Sequence, residues 1–205
     1  MYKEIIQSLR ASYSGQNATN RDKSPIQEWK LIERQHFLDL LLEEGKETLL
    51  EVGAGTGKDS KFFQEHGLQV TCTDLSPAMI ELCRQKGLDA YEMDFLNLSF
   101  PEASFDALYA LNCLLHLPSQ NLPEVLERLQ RVLRPGGLFY LGIYGGEDWE
   151  GILSDDSHEP KRFFSYHSDE YMKDITQKFF ELVYFKHIDL ENFDGHFQAF
   201  ILRKG

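Results

Sequence analysis

The chain has 205 residues, 42% hydrophobic and 13% aromatic, enough apolar side chains to fill the core of one domain. Lys and Arg total 21 against 33 Asp and Glu, a net charge of −12, and no basic run exceeds two residues. Phosphate backbones are gripped by basic faces, so no nucleic-acid partner is expected. No stretch approaches the ~20 continuous apolar residues of a membrane helix. The charged start MYKEIIQSLR lacks the apolar centre of a signal peptide. Cys72, Cys83 and Cys113 form no C-x-x-C pair and read as small buried hydrophobes in a reduced, cytoplasmic setting. The seven histidines show no metal-ligand spacing, so no metal is expected.

Residues 2–10 read as a short helix. Residues 12–24 are polar, rich in Gly, Asn and Ser, and read as a loop. Pro25 suits the first turn of a helix, along which Trp29, Ile32, His36, Phe37, Leu40 and Leu41 recur at helical spacing until Gly45. Strands follow at residues 48–52, 69–74, 89–92, 105–111 and 138–144. Helices at 58–65, 77–86 and 122–133 separate them, closed by Gly67, Gly87 and the Pro135-Gly136-Gly137 turn. Strands alternating with helices imply parallel pairing through right-handed crossovers. Residues 145–161 are acidic and turn-rich, and 163–166 are short and extended, so 145–167 reads as a lid insertion. Residues 168–178 are helical with Ser168 as N-cap. Residues 180–190 and 196–202 are strand-like, and the short link 191–195 forces an antiparallel hairpin. One domain is expected over 1–205, with 1–45 as its helical cap.

The densest chemical signal is LLEVGAGTGKD, residues 49–59, followed by the run VTCTD ending at Asp74. Glycines 53, 55 and 57 alternate after a strand, which lets the backbone pass close to a ligand. A carboxylate at the tip of the next strand can accept from both hydroxyls of a ribose. A phosphate-binding loop needs glycine at position 52 and Ser or Thr after Lys58; Val52 and Asp59 stand there. A dinucleotide fingerprint needs a small residue at position 58, which is Lys58. E-x-G-x-G-x-G remains, with Glu51 ahead of the glycines.

LEVGAGTGKDS, VTCTDLSPAMIELCRQKG, FDALYALNCLLHLP and VLRPGGLFYL stand in that order between residues 48 and 144. They resemble the ordered motifs of S-adenosylmethionine-dependent methyltransferases of the seven-stranded, Rossmann-like class, in the branch acting on small molecules. The resemblance implies an α/β fold, a doubly wound, mostly parallel seven-stranded sheet with an antiparallel last strand. It implies S-adenosylmethionine as cofactor and a small-molecule acceptor. Gly53, Ala54, Gly55 and Gly57 would border the cofactor. Glu51 would reach its amino end, Asp74 its ribose, Leu75 and Met79 its adenine. Asp94 and Phe95 match the position that reads the adenine edge. Asn112 ends strand four beside the expected methyl group. His116 and Tyr144 are the candidate catalytic residues, Tyr13 and Arg34 lesser candidates from the cap. The acids of the lid, Glu147, Asp148, Glu150, Asp155 and Asp156, either select a cation or are simply solvated.

Methyl transfer from a sulfonium needs held geometry more than covalent help. The expected function is therefore methyl transfer to a small molecule. Two alternatives stand beside it: a non-catalytic S-adenosylmethionine-binding protein, and a nicotinamide oxidoreductase, which Lys58 disfavours. The acceptor and the oligomeric state are not legible in the sequence.

Overall fold

The computed structural model describes residues 2–191 and 193–205, and only the backbone of Gln16. Asn192 of the expected hairpin link lies outside the described residues. Three helices come first: α1 (Tyr2–Ser12), α2 (Gly15–Lys23) and α3 (Glu28–Glu43). The alternating part follows as β1 (Thr48–Val52), α4 (Lys58–Glu65), β2 (Gln69–Asp74), α5 (Pro77–Gln85), β3 (Asp89–Glu92), β4 (Phe105–Leu111), α6 (Leu122–Val132) and β5 (Leu133–Gly145). Then come β6 (Trp149–Ile152), β7 (Phe163–Tyr166), α7 (Asp169–Thr176), β8 (Glu181–Asp189) and β9 (His196–Arg203).

Seven strands form one sheet in the order β3-β2-β1-β4-β5-β9-β8, while β6 and β7 pair as a separate antiparallel ribbon. The first five pair in parallel, and β9 runs antiparallel between β5 and β8. This is the expected doubly wound sheet. Its interior strands are buried on both faces, which is why they read as continuous apolar runs. Leu50, Leu108, Phe139, Leu141 and Phe200 pack one core with α6 and α7. The residues beside them in sequence, Leu49, Ala107, Leu138, Tyr140 and Ala199, pack the other with α3 and α4. α6 turns Leu122, Val125, Leu126, Leu129 and Val132 inward at helical spacing. Each such fully buried side chain contributes about 1.5–3 kcal/mol.

Four expectations are corrected. Residues 15–23 form helix α2 rather than loop. The segment has almost no apolar stripe; lysines from elsewhere hold it. Lys58 Nζ donates to the carbonyls of Arg21 (2.9 Å) and Ser24 (2.5 Å), and Lys86 pairs with Asp22 at 2.6 Å. Pro25 precedes α3 instead of opening it, because Gln27 is the N-cap. Ile32 is 56% exposed, and Glu33 and Arg34 take the buried stripe. β5 begins at Leu133, with a register shift that lets the Pro-Gly-Gly turn bulge out beside β4. No helix among the described residues is long and apolar enough to cross a membrane.

Candidate functional site

The glycine turn leaves β1 at its carboxyl end and is tied to the tip of β2. Ala54 N–H donates to the Thr73 carbonyl at 2.9 Å, and Gly55 N–H to Asp74 Oδ2 at 2.8 Å. A Cβ on Gly53 would sit 2.3 Å from Cys113 Cβ, and one on Gly57 2.6 Å from Leu88 Cδ1. Both glycines therefore let the turn close against its own core. Gly55 differs: a Cβ there would meet only Arg21 Nε, at 3.6 Å. Gly55 faces an open cleft, whereas Gly57 lines none.

The cleft has two parts. The first lies over the ends of β1, β2 and β4. Gly53, Gly55, Asp74, Leu75, Met79, Asp94, Phe95 and Asn112 line it, with Tyr2, Ile6 and Leu9 of α1, and Tyr13 just past it, as the opposite wall. Asp74 also accepts from Ser76 N–H at 2.8 Å through Oδ1. Burial pushes its carboxyl up to about 6, against the pull of the Ser76 and Gly55 N–H groups. Each oxygen keeps a lone pair for a second donor. Asp94 caps a short 3-10 turn, accepting from Leu96 N–H at 2.9 Å and from the Tyr2 hydroxyl at 3.3 Å.

The second part lies on the other side of the turn and is polar. Glu51, Ala54, Asp59, Lys30 and Asn112 line it, and Arg21 stands where the two parts meet. Glu51 is 3% exposed and accepts from the Ser60 hydroxyl. Burial, and then the Asp59 charge, holds its carboxyl well above the usual range. Asp59 pairs with Arg34 Nη1 at 2.7 Å. Burial, and then the charge of Arg21, lowers the Lys30 ammonium to about 8. Its Nζ donates to Tyr144 Oη at 3.3 Å. Asn112 takes a positive φ of 53°, a costly conformation for a side-chain-bearing residue. Its Oδ1 is buried without a partner among the described residues.

His116 reaches the first part of the cleft with both ring nitrogens engaged. Nδ1 lies 2.7 Å from the Phe163 carbonyl, so it carries the hydrogen. Nε2 accepts from the Tyr13 hydroxyl at 2.8 Å, and Arg162 Nη1 donates to that same hydroxyl oxygen at 2.8 Å. Burial lowers the imidazole to about 3. The neutral ring thus joins α1, the β4 end and the ribbon. Three acids of the segment expected to be a lid are also engaged within the protein: Asp156 with Arg162, Asp148 with Ser168 N–H at 2.8 Å, and Glu150 with Ser119 N–H at 2.9 Å.

Residues 50–141 match the family described as Methyltransferase domain. The chain is 35% identical over 115 residues to malonyl-(acyl-carrier protein) O-methyltransferase of Serratia marcescens, covering 52% of this chain and 44% of that protein. It is 30% identical over 137 residues to tRNA N(3)-methylcytidine methyltransferase trm140 of Schizosaccharomyces pombe, covering 58% and 44%. The matched segments thus span less than half the length of these curated relatives. The N-methyltransferase NodS of Bradyrhizobium japonicum WM9, solved with S-adenosyl-L-homocysteine, has the same fold. Its TM-score is 0.72 at 18% identity, with 98% of each chain covered.

The turn, Asp74, Asp94, Phe95 and Asn112 converge on one cleft as the motifs of a methyltransferase suggest. Tyr144 lines neither part but touches Lys30, which does; Arg34 acts through Asp59. The sequence reading missed Arg21, Lys30, Asp59 and Tyr2. One signal was available on α3. Lys30 and Arg34 stand one helical turn apart and continue into Phe37 and Leu41, so two cations sit in an otherwise buried stripe. Arg21 gave no such signal, because its helix has no apolar stripe.

Proposed function

We propose that the protein transfers the methyl group of S-adenosylmethionine to a small, non-nucleic-acid acceptor in the cytoplasm. Residues 1–45 act as a cap over the donor, and the β6–β7 ribbon acts as a lid. The observation that carries the reading is Asp74, fixed by the Gly55 amide at the wall of the cleft with acceptor capacity to spare. The residues fit the donor. Asp74 accepts from the ribose hydroxyls, and Leu75, Met79 and Phe95 border the adenine. Asp94 takes the adenine amine. Glu51 meets the amino end of the methionine, and Arg21 supports its carboxylate.

When bound, S-adenosylmethionine supplies a methyl group already activated by its sulfonium. The chain's part is to hold, orient and move a proton. An ammonium near Glu51 favours its ionised form, so donor binding releases a proton there. Lys30, lowered to about 8, takes the acceptor's proton directly or through Tyr144. His116 has no free ring nitrogen for this task and instead positions Tyr13. Curated relatives include a tRNA enzyme, but this chain's net charge of −12 opposes a phosphate backbone.

The test incubates the protein with tritium-labelled donor and either a small-metabolite fraction or total tRNA. Label is expected in the metabolite fraction only; label in tRNA overturns the acceptor class. Donor binding in calorimetry with no label in either fraction favours the non-catalytic reading. Lys30→Met should retain S-adenosylhomocysteine binding while labelling falls by about 10²–10⁴-fold, the usual range for a lost general base.

A further inference from the structure

A second cluster of functional side chains lies outside the cleft. His187 and Asp189 on β8 face the same side of the sheet as His196 and Gln198 on β9, because His187 pairs with Gln198 and Asp189 with His196. The first residue of α7, Asp169, reaches over them. Asp169 Oδ1 lies 2.6 Å from His196 Nε2, and Asp169 Oδ2 lies 3.3 Å from His187 Nδ1. The two imidazoles stack at 3.6 Å, tilted by only 17°. One ligand atom from each of the three residues falls within 4.8 Å of the others.

His187 presents Nδ1 to Asp169 and Nε2, at 3.0 Å, to Asp189. A neutral imidazole has one N–H, so one of these nitrogens would turn a lone pair toward a carboxylate. A cation between Nδ1 and Asp169 would take the Nδ1 lone pair. The His187 Nε2–H then donates to Asp189, the carboxylate–histidine–metal arrangement that orients a ligating ring. Gln198 supplies a similar brace, its Nε2 donating to Asp169 Oδ1 at 2.7 Å.

We propose that Asp169, His187 and His196 bind a transition-metal dication of the zinc class, through one carboxylate oxygen, Nδ1 and Nε2 respectively. Bond lengths of about 2.0–2.2 Å in a tetrahedron put neighbouring ligand atoms about 3.3 Å apart. Asp169 Oδ2 already lies at that spacing from His187 Nδ1, at 3.3 Å, while His196 Nε2 sits 2.6 Å from the other oxygen, Oδ1, and must swing toward the ion. Imidazole donors favour zinc, cobalt or nickel over magnesium and calcium. His187 is 43% exposed, which leaves room for water as a fourth ligand. None of the three residues lines the cleft, so the role is structural and independent of methyl transfer. The ion would clamp the start of α7 to the β8–β9 hairpin.

The experiment titrates the full, untagged, chelator-treated chain with Co2+ and Zn2+ by calorimetry and visible absorption. One equivalent should bind, giving a Co2+ absorption band that Zn2+ removes, with no heat from Mg2+. Zinc should also raise the thermal midpoint as its concentration rises. His187→Ala and His196→Ala should each weaken binding at least tenfold, Asp189→Asn by about tenfold, and His66→Ala not at all. Absence of stoichiometric binding of either ion overturns the site, as does binding that survives both histidine variants. Should those variants fail to fold, paramagnetic Co2+ shifts in the wild-type spectrum decide. Shifts at the His187 and His196 rings support the site, and shifts centred elsewhere reject it.

Discussion

The two walls of the cleft are built differently. On the donor wall the glycine turn, Asp74 and Asp94 all sit at or just past strand ends, and backbone N–H groups fix both acids. The facing wall is assembled from side chains far apart in sequence. Tyr13, His116 and Arg162 meet there from just past α1, from the turn after β4 and from the residue before β7. The sheet enforces the first wall. The second depends on a few polar contacts between elements that could separate, a property suited to a surface that must admit ligand. Substitutions on the two walls should therefore fail in different ways.

The sharpest break is expected at Gly53. Gly53→Val places a branched side chain 2.3 Å from Cys113 Cβ at a φ of +66°. Overpacking of about 1–3 kcal/mol and left-handed strain of about 1–2 kcal/mol should together lower the thermal midpoint sharply and abolish S-adenosylhomocysteine binding. Gly55→Ala, at a φ of +55° but with Arg21 Nε at 3.6 Å as its nearest contact, should lose only the left-handed strain of about 1–2 kcal/mol and so a smaller part of the midpoint, while weakening the ligand. Equal loss of stability in both variants would refute the distinction between a packing glycine and a cleft-facing one.

On the other wall, the next largest effect is expected from Arg162→Met. Burial alone would raise the Asp156 carboxyl, yet the Arg162 hydrogen bonds hold it well below the usual range. Its side chain is 3% exposed, so removing Arg162 strands a buried charge at about 3 kcal/mol. A depressed native pKa stabilises the fold above the unfolded value, and that contribution fades as pH falls through the native one. Wild-type ribbon stability should decline in strong acid, and the variant should lack that component. Hydrogen exchange of residues 149–166 is the measurement, with the β1 and β2 amides as the internal standard. Uniform loss of protection across both walls would show that they are not separable.

This division also explains what the sequence could reveal. The bounds of β1, α4, β2, β3 and β4 follow from their apolar runs and closing glycines, because local pattern and tertiary burial agree there. Asp74 was legible because a strand end fixes where a carboxylate points. α2 was not, since lysines 58 and 86 hold it from outside and leave no periodic trace. The pairing of Lys30 with Tyr144 spans 114 positions. The Asp169, His187 and His196 cluster likewise lacks any short ligand spacing; a helix start and two antiparallel strands bring it together. His116 stood out beside strand four, but which groups would occupy its two nitrogens could not be read from the chain.

The gentlest and most diagnostic change is Asp74→Asn, which keeps the shape and removes the charge. It replaces one accepting oxygen with an amide that cannot receive from Gly55 or Ser76 N–H. Charge-assisted hydrogen bonds of about 1.5–3 kcal/mol each are at stake, so S-adenosylhomocysteine affinity should fall about tenfold to a hundredfold. The pH dependence separates this from general damage. The native carboxyl is raised from 3.8 to about 6, so between those values the folded apoprotein holds a proton that the unfolded chain has released. Apoprotein stability therefore falls as pH rises through that window. Ligand hydroxyls favour the ionised carboxylate, so wild-type affinity should climb across the same interval and level off above about 6. In Asp74→Asn this climb should vanish and leave the shallower trend from other groups. A variant that bound more weakly yet kept the wild-type pH profile would move the titrating acceptor to another acid, with Asp94 or Glu51 next in line.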